Sequence, residues 1–130
     1  MPWNVSRSTQ FVEKEILKFG TPGLHAIKSV VLDSSDAGFP VPGVNTRAVV
    51  PAGTILKKNP SAPTKYIQYN GSGTIEGILL HSVELLANAT AGDEPAPMIY
   101  HGAVFATAAI VNFTNYASAL VSALPTCKFE

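Results

Sequence analysis

Residues 47–58 read RAVVPAGTILKK, and the way this stretch turns decides the fold. β-Branched Val49, Val50, Thr54 and Ile55 flank Pro51-Ala52-Gly53. Pro51 has no amide hydrogen to give to a ladder and Gly53 takes positive φ without steric cost, so residues 47–58 are expected to form a tight hairpin. The pattern repeats outward. Upstream, IKSVVL (27–32) has strand composition, and DSSDAGFPVPG (33–43) is rich in residues that favour turns by local hydrogen bonding or a fixed φ. Downstream, KYIQY (65–69) and IEGILLHSVEL (75–85) read as two strands separated by the turn NGSG (70–73). Ten prolines and ten glycines leave little room for long helices before residue 105, so the expected class is mainly β.

The ends differ from this middle. TNYASALVSALP offers Thr114 or Asn115 as an N-cap, apolar Tyr116, Leu120 and Leu124 at helical spacing, and Pro125 as a stop. A short helix near 115–124 is expected there. Phe11, Val12, Ile16, Leu17 and Phe19 fit a helical face only loosely, with charges between them, so residues 1–19 read as an arm ahead of one domain spanning 20–130.

Composition narrows the function. The chain has 130 residues, enough for one modest core. Nine basic and nine acidic side chains cancel and only 14% of residues are charged, so neither nucleic acid nor anionic lipid is an expected partner. A hydrophobic fraction of 46% is too high for disorder, and a sparsely charged surface suits packing against other proteins. Cys127 is the single cysteine, which rules out an intrachain disulfide and fits folding in a reducing cytoplasm. The opening MPWNVSRSTQFVEKEILKF lacks the apolar core and cleavage site of a signal peptide, and no apolar run approaches the ~20 residues that span a bilayer. A soluble protein without an export signal or membrane partner is expected.

Chemistry-bearing patterns are weak. His25, His81 and His101 lie far apart in sequence and away from the cysteine, so no zinc-ligand spacing is present. On a strand His101 would share a face with Ile99, Ala103 and Phe105, and His81 with Ile75 and Leu79, so both read as polar ends of half-buried strand faces. There is no GxSxG elbow, and Cys127 stands in TCKFE without a catalytic context. Asp33, Asp36, Asp93 and Glu94 fall in stretches that read as turns, where capping or solvation explains them. NGSGTIEG matches no phosphate-binding loop. Lys57, Lys58 and Lys65 lack the neighbours that frame the modified lysine of biotinyl or lipoyl carrier domains and read as solvated strand ends. No enzyme activity, metal or cofactor is expected.

From Leu24 to Phe113 the order of segments resembles the tailed-phage head decoration proteins, the family that includes the lambda capsid-stabilising protein. The pieces are AIKSVVL, VVPAGTIL, KYIQYN, EGILLHSVEL and APMIYHGAV followed by FATAAI, with PAGTIL and HGAV the most specific pair. The resemblance implies a β-tulip fold with one or two short helices and homotrimers on threefold and quasi-threefold sites of an expanded icosahedral capsid. It implies the major capsid protein as partner, a location on the outer surface of the virion, and stabilisation of the head against the pressure of packaged DNA. It further implies that the arm attaches to the capsid by adding an extended chain to a sheet. Pro2, Trp3, Phe11, Val12, Ile16 and Phe19 are the capsid-contact residues to expect. The segment 114–130 does not align with the family pattern. A binding module of a phage tail or fibre is the alternative, with a carrier domain or small hydrolase more distant.

Overall fold

The computed structural model describes residues 26–34, 36, 38–39, 48–85 and 94–130. The strands are β1 (Ala26–Leu32), β2 (Ala48–Val50), β3 (Ile55–Asn59), β4 (Ala62–Gln68), β5 (Ile75–Leu79), β6 (Val83–Leu85), β7 (Glu94–His101), β8 (Val104–Phe105) and β9 (Lys128–Phe129). One 3-10 turn (Thr107–Ala109) and one α-helix, α1 (Phe113–Ala123), fall between β8 and β9. Five strands close a barrel in the order β1-β4-β3-β5-β7, while β2-β6 and β8-β9 form separate two-stranded sheets. The protein is a mainly β single domain with one short helix near its C-terminus.

The expected hairpin at 47–58 is not one. β2 pairs with β6 and β3 pairs with β4 and β5, so the flanks of Pro51–Gly53 never meet. A bent antiparallel ribbon forms instead, in which Val50 faces Val83 on one side of the bend and Ile55 faces Ile78 on the other. The turn's own backbone holds that bend. Ala52 N–H donates to Ser82 Oγ (2.9 Å), Gly53 N–H to the Leu79 carbonyl (2.8 Å), and Leu79 N–H to the Thr54 carbonyl (2.9 Å). Gly53 does take the positive φ expected of it, at 92°. The turn itself still closes, with Thr54 N–H (3.3 Å) and Oγ1 (2.7 Å) donating to the Pro51 carbonyl, but the donors of Ala52 and Gly53 are spent across the ribbon and its flanking strands pair elsewhere.

Two related expectations change with it. β4 and β5 both pair with β3, which lies between them, so NGSG is a crossover loop and not a hairpin turn. The stretch 75–85 is two strands broken at residues 80–82, where the ribbon bends. A true hairpin joins β3 to β4 at Asn59–Ala62, with Ser61 N–H donating to Asn59 Oδ1 at 3.0 Å.

Adjacent strand residues point to opposite faces, and here they feed two cores. Leu56, Leu79 and Met98 join Val30, Leu32, Tyr66 and Ala96 in one cluster. Their neighbours Ile55, Ile78 and Ile99 join Phe105, Ile110, Leu120 and Leu124 in the other. β3, β5 and β7 are therefore buried on both faces, the second beneath the C-terminal segment, whereas β1 contributes residues to the first cluster alone. At 25 cal/mol per Å² or so, burying a side chain of this size stabilises the fold by about 1.5–3 kcal/mol.

α1 starts earlier than its sequence suggests. Asn112, in the left-handed region (φ 61°), precedes it without a side-chain cap bond, in place of Thr114 or Asn115. Tyr116 departs from helical geometry (φ −124°) while packing edge-on against Tyr69, with ring centroids 4.9 Å apart. The face carrying Leu120 and Leu124 is buried as its spacing predicts.

Candidate functional surface

The residues with chemical potential are scattered and mostly engaged. His101 ends β7 exposed to solvent, because Gly102 (φ 75°) breaks the strand before Ala103 and Phe105 turn inward. Its ring Nδ1 lies 3.1 Å from Thr126 Oγ1. His81 sits in the bend after β5, also exposed, so neither imidazole occupies the half-buried strand face expected for it. His25 and Asp93 lie outside the described residues.

Asp33 is buried, contrary to a solvated turn, and its Oδ2 accepts a hydrogen bond from Asn59 Nδ2 at 2.8 Å. Asp36 Oδ2 accepts from the Gln68 amide at 3.3 Å. Glu94 begins β7 opposite Leu32 and so belongs to a strand. The aspartates pin the chain after β1 to β3 and β4, a structural task.

Lys57 overturns its reading as a solvated strand end. It is buried, and its Nζ donates to Asn70 Oδ1 and to the Ser72 carbonyl, each at 2.9 Å. Asn70 Oδ1 also accepts from the Ser72 amide (3.3 Å) and hydroxyl (3.1 Å), so one oxygen organises the whole crossover loop. Sequence reasoning missed this because LKKN looks like any exposed strand end; only the return of Asn70 above Lys57 reveals it. Lys58 is exposed and Lys65 half-buried. Cys127 is a buried thiol in the outer core. Among the described residues no group of three His, Cys, Asp or Glu side chains is placed to hold a metal ion, and no helix is long and apolar enough to cross a membrane.

What stands out is a surface. β1 turns Ile27 (47% exposed), Ser29 and Val31 (38%) outward, and across the ladder these meet Ile99, Pro97 and Pro95 of β7. Ile27, Ser29, Pro95, Ala96 and Pro97 line an open groove of about 270 Å³. On the other face of the same two strands Lys28 Nζ lies 5.9 Å from the centre of the exposed Tyr100 ring, within cation–π range. Such a surface has the makings of a binding face: apolar, with little charge and no reactive constellation. Pro2, Trp3, Phe11, Val12, Ile16 and Phe19, the capsid-contact residues expected from the sequence, lie outside the described residues.

Comparison of the chain with protein-family models, with curated proteins and with solved structures gives no match.

Proposed function

We propose that the protein is a structural protein of a tailed phage, a head decoration protein with the β-tulip fold. It binds the outer surface of the expanded capsid as homotrimers at threefold and quasi-threefold sites and carries out no chemistry of its own. The observation that supports this reading best is where the two most specific blocks of the resemblance fall. PAGTIL and HGAV, about fifty residues apart in sequence, pack into one core, with Ala52 and Ile55 from the first beside Ala103 from the second. A net charge of zero and the low charge content add support, since a protein placed between capsid subunits needs apolar contact and no DNA affinity.

In this reading the stretch 2–19 attaches to the major capsid protein, and trimer contacts too weak to hold in solution become effective when the lattice concentrates the partners. The composite site exists only at the mature subunit spacing. Binding that closes it stabilises the shell by mass action. Co-sedimentation with expanded and unexpanded heads of the cognate phage tests this, together with heat-induced DNA release from heads with and without the protein. Expanded heads are expected to bind and to release DNA at higher temperature. Equal binding to both head forms with equal release temperatures refutes the staple and leaves a tail or fibre module.

A further inference from the structure

The crossover loop NGSG (70–73) opens with asparagine followed by glycine. In such a pair the backbone nitrogen of the second residue can attack the side-chain carboxamide carbon of the first, because glycine has no Cβ to block the approach. Asn70, Gly71 and Ser72 are all exposed, so water reaches them.

Three donors converge on one oxygen. Asn70 Oδ1 accepts from Lys57 Nζ (2.9 Å), from the Ser72 amide (3.3 Å) and from the Ser72 hydroxyl (3.1 Å). An ammonium only donates, so Lys57 fixes which end of the carboxamide is oxygen. Among the described residues, no protein group bonds to Asn70 Nδ2 or to the Gly71 amide. The carboxamide is therefore polarised at its oxygen, as in an oxyanion hole, while the attacking and the leaving nitrogen are both unengaged.

We propose that the folded chain converts its own Asn70 to aspartate, with Lys57 activating the carboxamide. Hydroxide from solvent takes the Gly71 amide proton, Gly71 N bonds to Asn70 Cγ, and negative charge gathers on Oδ1 beside the Lys57 ammonium. The Cγ–Nδ2 bond breaks, the nitrogen takes a proton from water and leaves as ammonia, and a five-membered imide remains. Water then opens the ring at one of its two carbonyls. In an unstructured chain it attacks chiefly the backbone carbonyl, made more electrophilic by the amide nitrogen on the same Cα, and the product is isoaspartate. Here Lys57 polarises the other carbonyl, so water attacks Cγ and the ordinary backbone is restored. A carboxylate replaces the oxygen that Lys57 already holds at 2.9 Å.

Incubating the full chain at neutral pH beside a synthetic peptide of residues 65–76, with intact mass, charge and peptide maps as readouts, tests this. The protein is expected to gain about 1 Da at residue 70, at least as fast as the peptide. Its product is expected to co-elute with an Asn70→Asp protein, whereas the peptide gives mainly isoaspartate. Lys57→Met is expected to convert about 10-fold more slowly and to shift the product toward isoaspartate. Loosening the loop would by itself speed ring closure, so slower conversion isolates the activation. Conversion slower than in the peptide, isoaspartate as the main product of the folded chain, or a Lys57→Met protein that converts as fast as the parent overturns the proposal. Should Lys57→Met fail to fold, the rate and product of the parent against the peptide still decide.

Discussion

Replacing Lys57 with Met removes the ammonium while keeping most of the aliphatic stem, which runs beside Gly73, where an added methyl would lie 3.4 Å from Lys57 Cδ. Two charge-assisted hydrogen bonds of 2.9 Å are lost, each worth about 1.5–3 kcal/mol. Against that, a charged group no longer has to be desolvated. Asn70 Oδ1 keeps its two bonds from Ser72, and the Ser72 carbonyl, on an exposed loop, is free to take water. The net cost expected for Lys57→Met is thus about 1–2 kcal/mol. Lys57→Ala also deletes three methylenes and is expected to cost about 2 kcal/mol more. Asn70→Ala leaves the buried ammonium short of an acceptor at about 1–3 kcal/mol, and the double variant Lys57→Met/Asn70→Ala should fall short of additivity by about 1 kcal/mol. Urea unfolding with a constant m-value reads these as shifts in midpoint, and a thermal melt as roughly 3–5 °C per kcal/mol. A Lys57→Met protein as stable as the parent, with no coupling to Asn70, refutes the argument and returns Lys57 to solvent.

Gly77→Ala is expected to destabilise by about 1–3 kcal/mol, because the added carbon would sit 2.6 Å from both the Ile99 carbonyl oxygen and Met98 Cγ and force β5 from β7; an unchanged denaturation midpoint argues against that close approach. Gly53→Ala combines a φ of 92° with a collision against the Ala109 carbonyl and is expected to cost about 2 kcal/mol or more, visible as faster exchange of the Val111 amide, which donates to the Gly53 carbonyl at 3.1 Å. His81→Ala and His101→Ala, both at exposed positions, are expected to change stability by no more than about 0.5 kcal/mol and to leave head binding intact; loss of binding or of a measurable turnover in a folded variant contradicts the proposed role.

The class of the fold was legible in the chain itself. Punctuation by proline and glycine kept segments short, β-branched runs marked β1, β3 and β5, and Leu120 with Leu124 ahead of Pro125 marked one late helix. These signals survive because propensity, spacing and turn chemistry act within a few residues. Pairing does not. RAVVPAGTILKK carries every local sign of a hairpin, yet its donors go to Leu79 and Ser82 and its strands to β6 and to β4 and β5, partners chosen by burial on two faces at once. The same distant choice buried Lys57 under the loop 70–73, hid Asp33 beside Asn59, and left Ile27 and Val31 outside while Val30 and Leu32 went in. In IKSVVL both faces carry apolar side chains, so alternation alone gives no direction. Only closure of the barrel against β4 and β7, with the C-terminal segment spread over β3, β5 and β7 and not over β1, decided which face meets water.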